Sequence, residues 1–84
     1  MDIQFTPTAL EQYQYWKDND LNKVEKIKSL IANIIQTPFN GIGKPEPLKG
    51  NLTGYWSRRI TQEHRLVYKV SASGLIITQC RFHY

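Results

Sequence analysis

Apolar and polar residues recur along this chain at two periods, and the change from one to the other marks its elements. Ile3 and Phe5 share a face of the opening stretch with Gln4 opposite, so Met1 to Phe5 reads as a short strand. Thr6-Pro7 supplies an N-cap followed by proline at the first helical position; Thr8 with Glu11 offers a capping box as the alternative start. Ala9, Leu10, Tyr13 and Trp16 then recur at helical spacing, predicting a first helix to about Lys17 that Asp18-Asn19-Asp20 breaks. In a second helix Leu21, Val24, Ile27, Leu30, Ile31, Ile34 and Ile35 fall on one side. Lys23, Glu25, Lys26 and Lys28 fall mostly on the other. Thr37-Pro38 ends this helix, because the residue before proline disfavours the helical region.

Residues 38 to 54 lose both periods. Pro38 to Leu48 holds three prolines and two glycines, and Gly50 to Gly54 continues the turn chemistry. So long a connection in a compact domain is usually functional. Alternation then returns. Trp56, Arg58 and Ile60 oppose Tyr55, Ser57 and Arg59, and Gln62-Glu63 makes a hairpin turn. Leu66, Tyr68 and Val70 oppose Arg65, Val67 and Lys69, with Ser71-Ala72-Ser73-Gly74 as the next turn. Leu75 to Tyr84 reads as a last strand reaching the end of the chain. The predicted order is β-α-α-β-β-β: an α+β fold with a helical hairpin on a mainly antiparallel sheet, residues 1–84 forming one domain.

Composition supports a packed core. The chain has 84 residues, 40% of them hydrophobic and ten aromatic, which argues against disorder. Its one cysteine, Cys80, excludes an internal disulfide and a CxxC metal site. Placed in the run Leu75 to Cys80, it reads as a buried packing residue. The first residues lack a basic segment followed by a long apolar stretch, and no run approaches the ~20 apolar residues of a membrane helix. The expected location is the cytoplasm, away from membranes.

Charge sharpens the picture. The net charge is +4, but residues 1–37 carry four basic and five acidic side chains while residues 38–84 carry seven basic and two acidic. The carboxyl-terminal half is therefore the electropositive one, at +5. That bias suits phosphates and an acidic protein partner equally.

The same half gathers Lys44, Glu46, Lys49, Arg58, Arg59, His64, Arg65, Arg81, His83 and Tyr84. Arg59, Arg65, Arg81 and His83 fall on odd positions of successive predicted strands, consistent with one basic surface once register allows it. RNA cleavage without a metal or cofactor needs three things. A base takes the proton of a ribose 2′-hydroxyl, a cation stabilises the phosphorane-like transition state, and an acid protonates the leaving 5′-oxygen. Glu46, Arg65 and His83 are residue types able to fill those roles. The same residues also read as ordinary surface groups: a strand-end histidine, a solvated loop glutamate, and Arg58 or Arg59 paired with Asp18 or Asp20.

The runs Thr37-Pro38-Phe39, Gly43-Lys44-Pro45-Glu46-Pro47-Leu48-Lys49, Gly54 to Thr61 (GYWSRRIT) and Glu63 to Tyr68 (EHRLVY) closely resemble the Txe/YoeB family within the RelE-like toxins. So does the ending Cys80-Arg81-Phe82-His83-Tyr84. The similarity spans essentially the whole chain. It implies a microbial-ribonuclease-like fold and an endoribonuclease that cuts messenger RNA in the ribosomal A site. By that resemblance Glu46 is the general base, His83 the general acid and Arg65 the transition-state stabiliser. Lys49 and Arg59 assist at phosphates, and Tyr84 positions the RNA or leaving group. Lys44, Arg58 and Arg81 complete the basic set for substrate positioning. The resemblance further implies a cognate acidic, YefM-like antitoxin that orders on binding. It implies action on the 70S ribosome, homodimerisation, and promoter DNA binding only through the antitoxin complex.

Two other classes stay open on the sequence. A non-catalytic basic module can arrest translation by binding ribosomal RNA, which explains the charge asymmetry as well. A corepressor acting on DNA with its antitoxin is the third; nothing in the chain resembles a recognition helix.

Overall fold

Thr6 starts the helical layer. In the computed structural model, which describes residues 1–83, its hydroxyl accepts the Ala9 N–H at 3.2 Å, and Pro7 follows where a missing N–H costs nothing. Helix α1 spans Pro7–Asn19 and α2 spans Leu21–Gln36. The predicted break between them narrows to Asp20, whose backbone is extended and whose carboxylate accepts the Asn22 N–H at 3.1 Å to cap α2. The same carboxylate meets Lys23 Nζ at 2.9 Å. That bond holds it below the usual carboxylate range.

The strands are β1 Asp2–Phe5, β2 Glu46–Pro47, β3 Trp56–Arg59, β4 Arg65–Ser71 and β5 Gly74–Gln79. They form one sheet in the order β1-β5-β4-β3-β2. Only β1 and β5 run parallel within it; the other neighbours are antiparallel. The predicted α+β layering holds, with two differences.

The first is β2, a two-residue strand inside the predicted loop. It pairs Glu46 with Ser57 and Pro47 with Trp56, and Leu48 N–H continues the ladder to Tyr55 O at 2.9 Å. As the sheet's edge strand it tolerates a proline that cannot donate. The second is β5, which stops at Gln79 instead of reaching the chain end. Helix α1 draws the backbone away there: Cys80 N–H donates to Gln12 Oε1 at 2.8 Å and Trp16 Nε1 donates to Cys80 O at 2.8 Å. Phe82 then turns the chain at φ +68.

The core lies between the helices and one sheet face. Ala9, Trp16, Val24, Ile27, Leu30 and Ile34 pack there against Ile60, Leu66, Tyr68, Leu75, Ile77 and Cys80. Each fully buried aliphatic side chain contributes roughly 1.5–3 kcal/mol. Only one stripe of each helix reaches the sheet, so Leu10, Leu21 and Ile35, expected on the core side, are exposed. Cys80 is buried as expected, its Sγ 3.4 Å from Ala9 O, and burial pushes its thiol up to about 12. Among the described residues, no helix is long and apolar enough to cross a membrane.

Candidate functional site

The face of the sheet turned away from the helices carries the candidate chemistry. Residues directly opposite one another in antiparallel strands project to the same side. Glu46 pairs with Ser57, Ser57 with Val67, and Val67 with Gln79, so these four make one row across β2 to β5. Two residues along β3 and β4, Arg59 stands opposite Arg65 on the same face. A bulge completes the row. Tyr68 pairs with Ile77 but Val67 pairs with Gln79, so Thr78 is an extra residue. It returns Gln79 to the outer face although Leu75 and Ile77, also odd-numbered, lie in the core.

Ser57 and Val67 are buried at the floor of this face, and Arg59 is exposed at its rim. Arg65 is almost wholly buried, at 9% exposure. Its Nη1 donates to Thr61 O at 2.8 Å and Gln62 O at 2.7 Å, which locks the guanidinium onto the β3–β4 turn. These bonds use one nitrogen of the fork, which has five N–H groups in all.

The loop before β2 delivers Glu46. Gly43 and Lys44 both adopt positive φ, +80 and +53, and Arg59 N–H donates to Gly43 O at 2.7 Å, tying the loop to the end of β3. Lys44, Glu46 and Lys49 are exposed, while Leu48 anchors the segment in the interior.

At the other side of β4 the C-terminal turn approaches. Arg65 N–H donates to Phe82 O at 2.9 Å, and Gln79 Nε2 donates to the same carbonyl at 3.1 Å. His83, exposed, therefore follows directly on a residue bonded to the main chain of Arg65. Phe82 N–H donates to His64 Nδ1 at 2.7 Å. His64 belongs to the polar set of the carboxyl-terminal half but carries no motif-based role; its only local signal is that it precedes Arg65 in the hairpin. Tyr84 lies outside the described residues.

Two expected substrate contacts are corrected. Arg58 is fully buried on the helix side of the sheet. Its guanidinium donates to Asn33 Oδ1, to Thr37 O at 2.6 Å, Asn40 O at 2.9 Å, Ile42 O at 3.0 Å and Tyr68 Oη at 3.2 Å. It staples the C-terminal end of α2 and the following loop to the sheet, where a cation complements the helix dipole. Neither Asp18 nor Asp20 is its partner. Burial raises the Tyr68 hydroxyl above its usual range, against the opposing pull of Arg58. Arg81 is the second correction. It stacks 3.4 Å from the centre of the Tyr15 ring and 4.4 Å from that of Phe82, in a cleft lined also by Glu11 and Asp18. The departure of the chain from β5 at Cys80 carries it to the α1 side, off the row shared by Glu46, Ser57, Val67 and Gln79. Among the described residues, no group of three or more His, Cys, Asp or Glu is arranged to hold a metal ion.

Residues 5–84 match the family described as the YoeB-like toxin of bacterial type II toxin-antitoxin systems. The chain is 52% identical to Toxin YoeB of Streptomyces coelicolor over the full length of both. Its fold superposes on a YoeB/ParE toxin from Agrobacterium tumefaciens with a TM-score of 0.97 at 56% identity, each chain covered completely. Staphylococcus aureus YoeB, solved as a dimer, gives a TM-score of 0.94 at 49% identity, covering 100% of this chain and 98% of that one. A YoeB-YefM complex from the same organism gives 0.93 at 48% with the same coverage. With the family match, the full-length identity and the superposed fold all in agreement, the chain belongs to the YoeB-like toxins of bacterial type II toxin–antitoxin systems.

Proposed function

We propose that this toxin is a ribosome-dependent messenger-RNA endoribonuclease acting in the A site by metal-independent acid/base catalysis. Glu46 takes the proton of the ribose 2′-hydroxyl, whose oxygen attacks the adjacent phosphorus. Negative charge accumulates on the phosphoryl oxygens and meets the fixed guanidinium of Arg65, whose Nε and Nη2 are not used by the turn carbonyls. His83 protonates the departing 5′-oxygen. The products are a 2′,3′-cyclic phosphate, which water opens to a 3′-phosphate, and a 5′-hydroxyl. Lys44, Lys49 and Arg59 hold flanking phosphates, and Tyr84 positions the RNA.

The observation that carries this reading is the register placing Glu46 on the same face as the Arg59–Arg65 pair, with the turn bearing His83 bonded to the Arg65 main chain. Glu46 and Arg65 lie two strand spacings apart and two residues out of line, ~12 Å between backbones, a gap that extended side chains and one phosphodiester fill. A guanidinium held beforehand by the protein loses little to reorganisation as charge develops.

The partner in this reading is an acidic, YefM-like antitoxin drawn to the electropositive half of the chain. The 84 residues act as one toxin domain in the cytoplasm, as a homodimer, and reach promoter DNA only through the antitoxin complex. A non-catalytic basic module that blocks ribosomal RNA shares the exposed Lys44, Lys49 and Arg59. It predicts translation arrest without new RNA ends.

Mapping of mRNA ends on programmed ribosomes tests the choice. Cuts phased to codons are expected, with Glu46→Gln and His83→Gln each slowing cleavage by ~10²–10⁴. Full cleavage by both variants, or arrest with intact mRNA, would refute the assignment.

A further inference from the structure

Phe82 has φ +68, a left-handed conformation that an aromatic residue seldom adopts unless its surroundings hold it. Both of its backbone polar groups are held by consecutive residues of the β3–β4 hairpin. Its carbonyl accepts the Arg65 N–H at 2.9 Å, and its N–H donates to His64 Nδ1 at 2.7 Å. The imidazole is itself fixed. It stands edge-on to Trp16 with ring centres 4.9 Å apart, and Trp16 anchors the same turn through Cys80 O. The His64 main chain is also engaged, its carbonyl accepting Ile60 N–H at 3.0 Å and its N–H donating to Thr61 Oγ1 at 3.1 Å.

We propose that His64 is a positioning residue for RNA cleavage, acting through Phe82 to hold the C-terminal turn so that His83 reaches the phosphate beside Arg65. This rests on the reading of Glu46, Arg65 and His83 given above. Accepting a backbone N–H at Nδ1 requires a neutral ring with its proton on Nε2. The role therefore belongs to a lone pair at the δ position. Asparagine presents its oxygen there and keeps the acceptor; phenylalanine keeps the ring and loses it.

The test combines single-turnover cleavage on mRNA-programmed ribosomes with amide exchange at Phe82 in the free protein. His64→Phe is expected to speed Phe82 exchange at least ~10-fold and to slow cleavage ~10- to 100-fold with ribosome affinity unchanged. His64→Asn is expected to restore both toward wild type. Unchanged Phe82 protection or unchanged cleavage in His64→Phe overturns the proposal, as does a His64→Asn variant no better than His64→Phe. If His64→Phe does not fold, the imidazole nitrogen shifts of the wild type decide. The chain has only two histidines, and an Nε2–H ring at His64 supports the role while an Nδ1–H ring overturns it. Wild-type protein that leaves mRNA intact defeats the nuclease reading and this role together. Normal wild-type cleavage with an indifferent His64→Phe defeats only the role of His64.

Discussion

Arg59 stands directly opposite Arg65 across β3 and β4. Like charges in that relationship destabilise a sheet by roughly 0.2–1 kcal/mol. An anion placed between them reverses the sign. Arg59→Gln should therefore leave the free protein as stable as wild type or slightly more so. Pyrophosphate at low salt should raise the melting temperature of wild type more than that of the variant. Equal stabilisation of both would show that Arg59 does not face the bound anion.

Arg58, one residue away, should behave in the opposite manner. Five acceptors converge on its buried guanidinium, so Arg58→Met takes away the side-chain donor to Thr37 O, Asn40 O and Ile42 O together, while Asn33 Oδ1 keeps the Ile42 N–H. The expected cost is about 3–5 kcal/mol, near the whole stability of so small a domain. Urea denaturation of Arg58→Met and Arg59→Gln side by side measures the contrast; equal midpoints would contradict it.

Cys80 makes stability depend on alkaline pH. Its folded thiol is raised from 9.0 to about 12 by burial. A raised value means the contribution is fully present below pH ~9, where the unfolded thiol titrates, and is lost as pH climbs toward 12. A tenfold change in proton affinity is worth about 1.4 kcal/mol, so the loss approaches ~4 kcal/mol across that window. Tyr68, also raised by burial, adds in the same direction. Unfolding free energies from pH 8 to 11 should fall less steeply in Cys80→Ala than in wild type.

Gly43 couples the core to the loop that carries Glu46. It has φ +80, and a Cβ there would lie 2.7 Å from Leu30 Cδ2 and 3.2 Å from Arg58 Cβ. Gly43→Ala should cost about 1–2 kcal/mol from backbone strain alone and shift the Arg59 N–H bond to Gly43 O. Cleavage should fall more than stability, because Glu46 moves with the loop. A variant with wild-type cleavage and a displaced melting temperature would separate the loop from the site.

Much of the fold was legible locally. The Thr6-Pro7 start, the Val24-Ile27-Leu30-Ile34 stripe and the alternation around Trp56 and Leu66 are short-range patterns. They led to the observed helices and to β3 and β4. The family motifs extended this to Glu46, Arg65 and His83 as candidates. Parity put Arg58 and Arg59 on opposite faces without telling which face was the core or that Arg58 had become structural. Four of its five acceptors come from residues 16 to 25 positions earlier, at the end of α2 and beyond.

By itself the sequence determined the two helices, the alternating faces of the hairpin strands, the basic carboxyl-terminal half and the burial of Cys80. Each follows from neighbours a few residues apart, or from composition. Tertiary structure alone decided that Thr78 bulges, that β5 ends at Gln79, that Arg81 leaves for Tyr15 and that His64 takes hold of Phe82. Those outcomes depend on which distant backbone group reaches a donor or acceptor first, and periodicity carries no record of that competition.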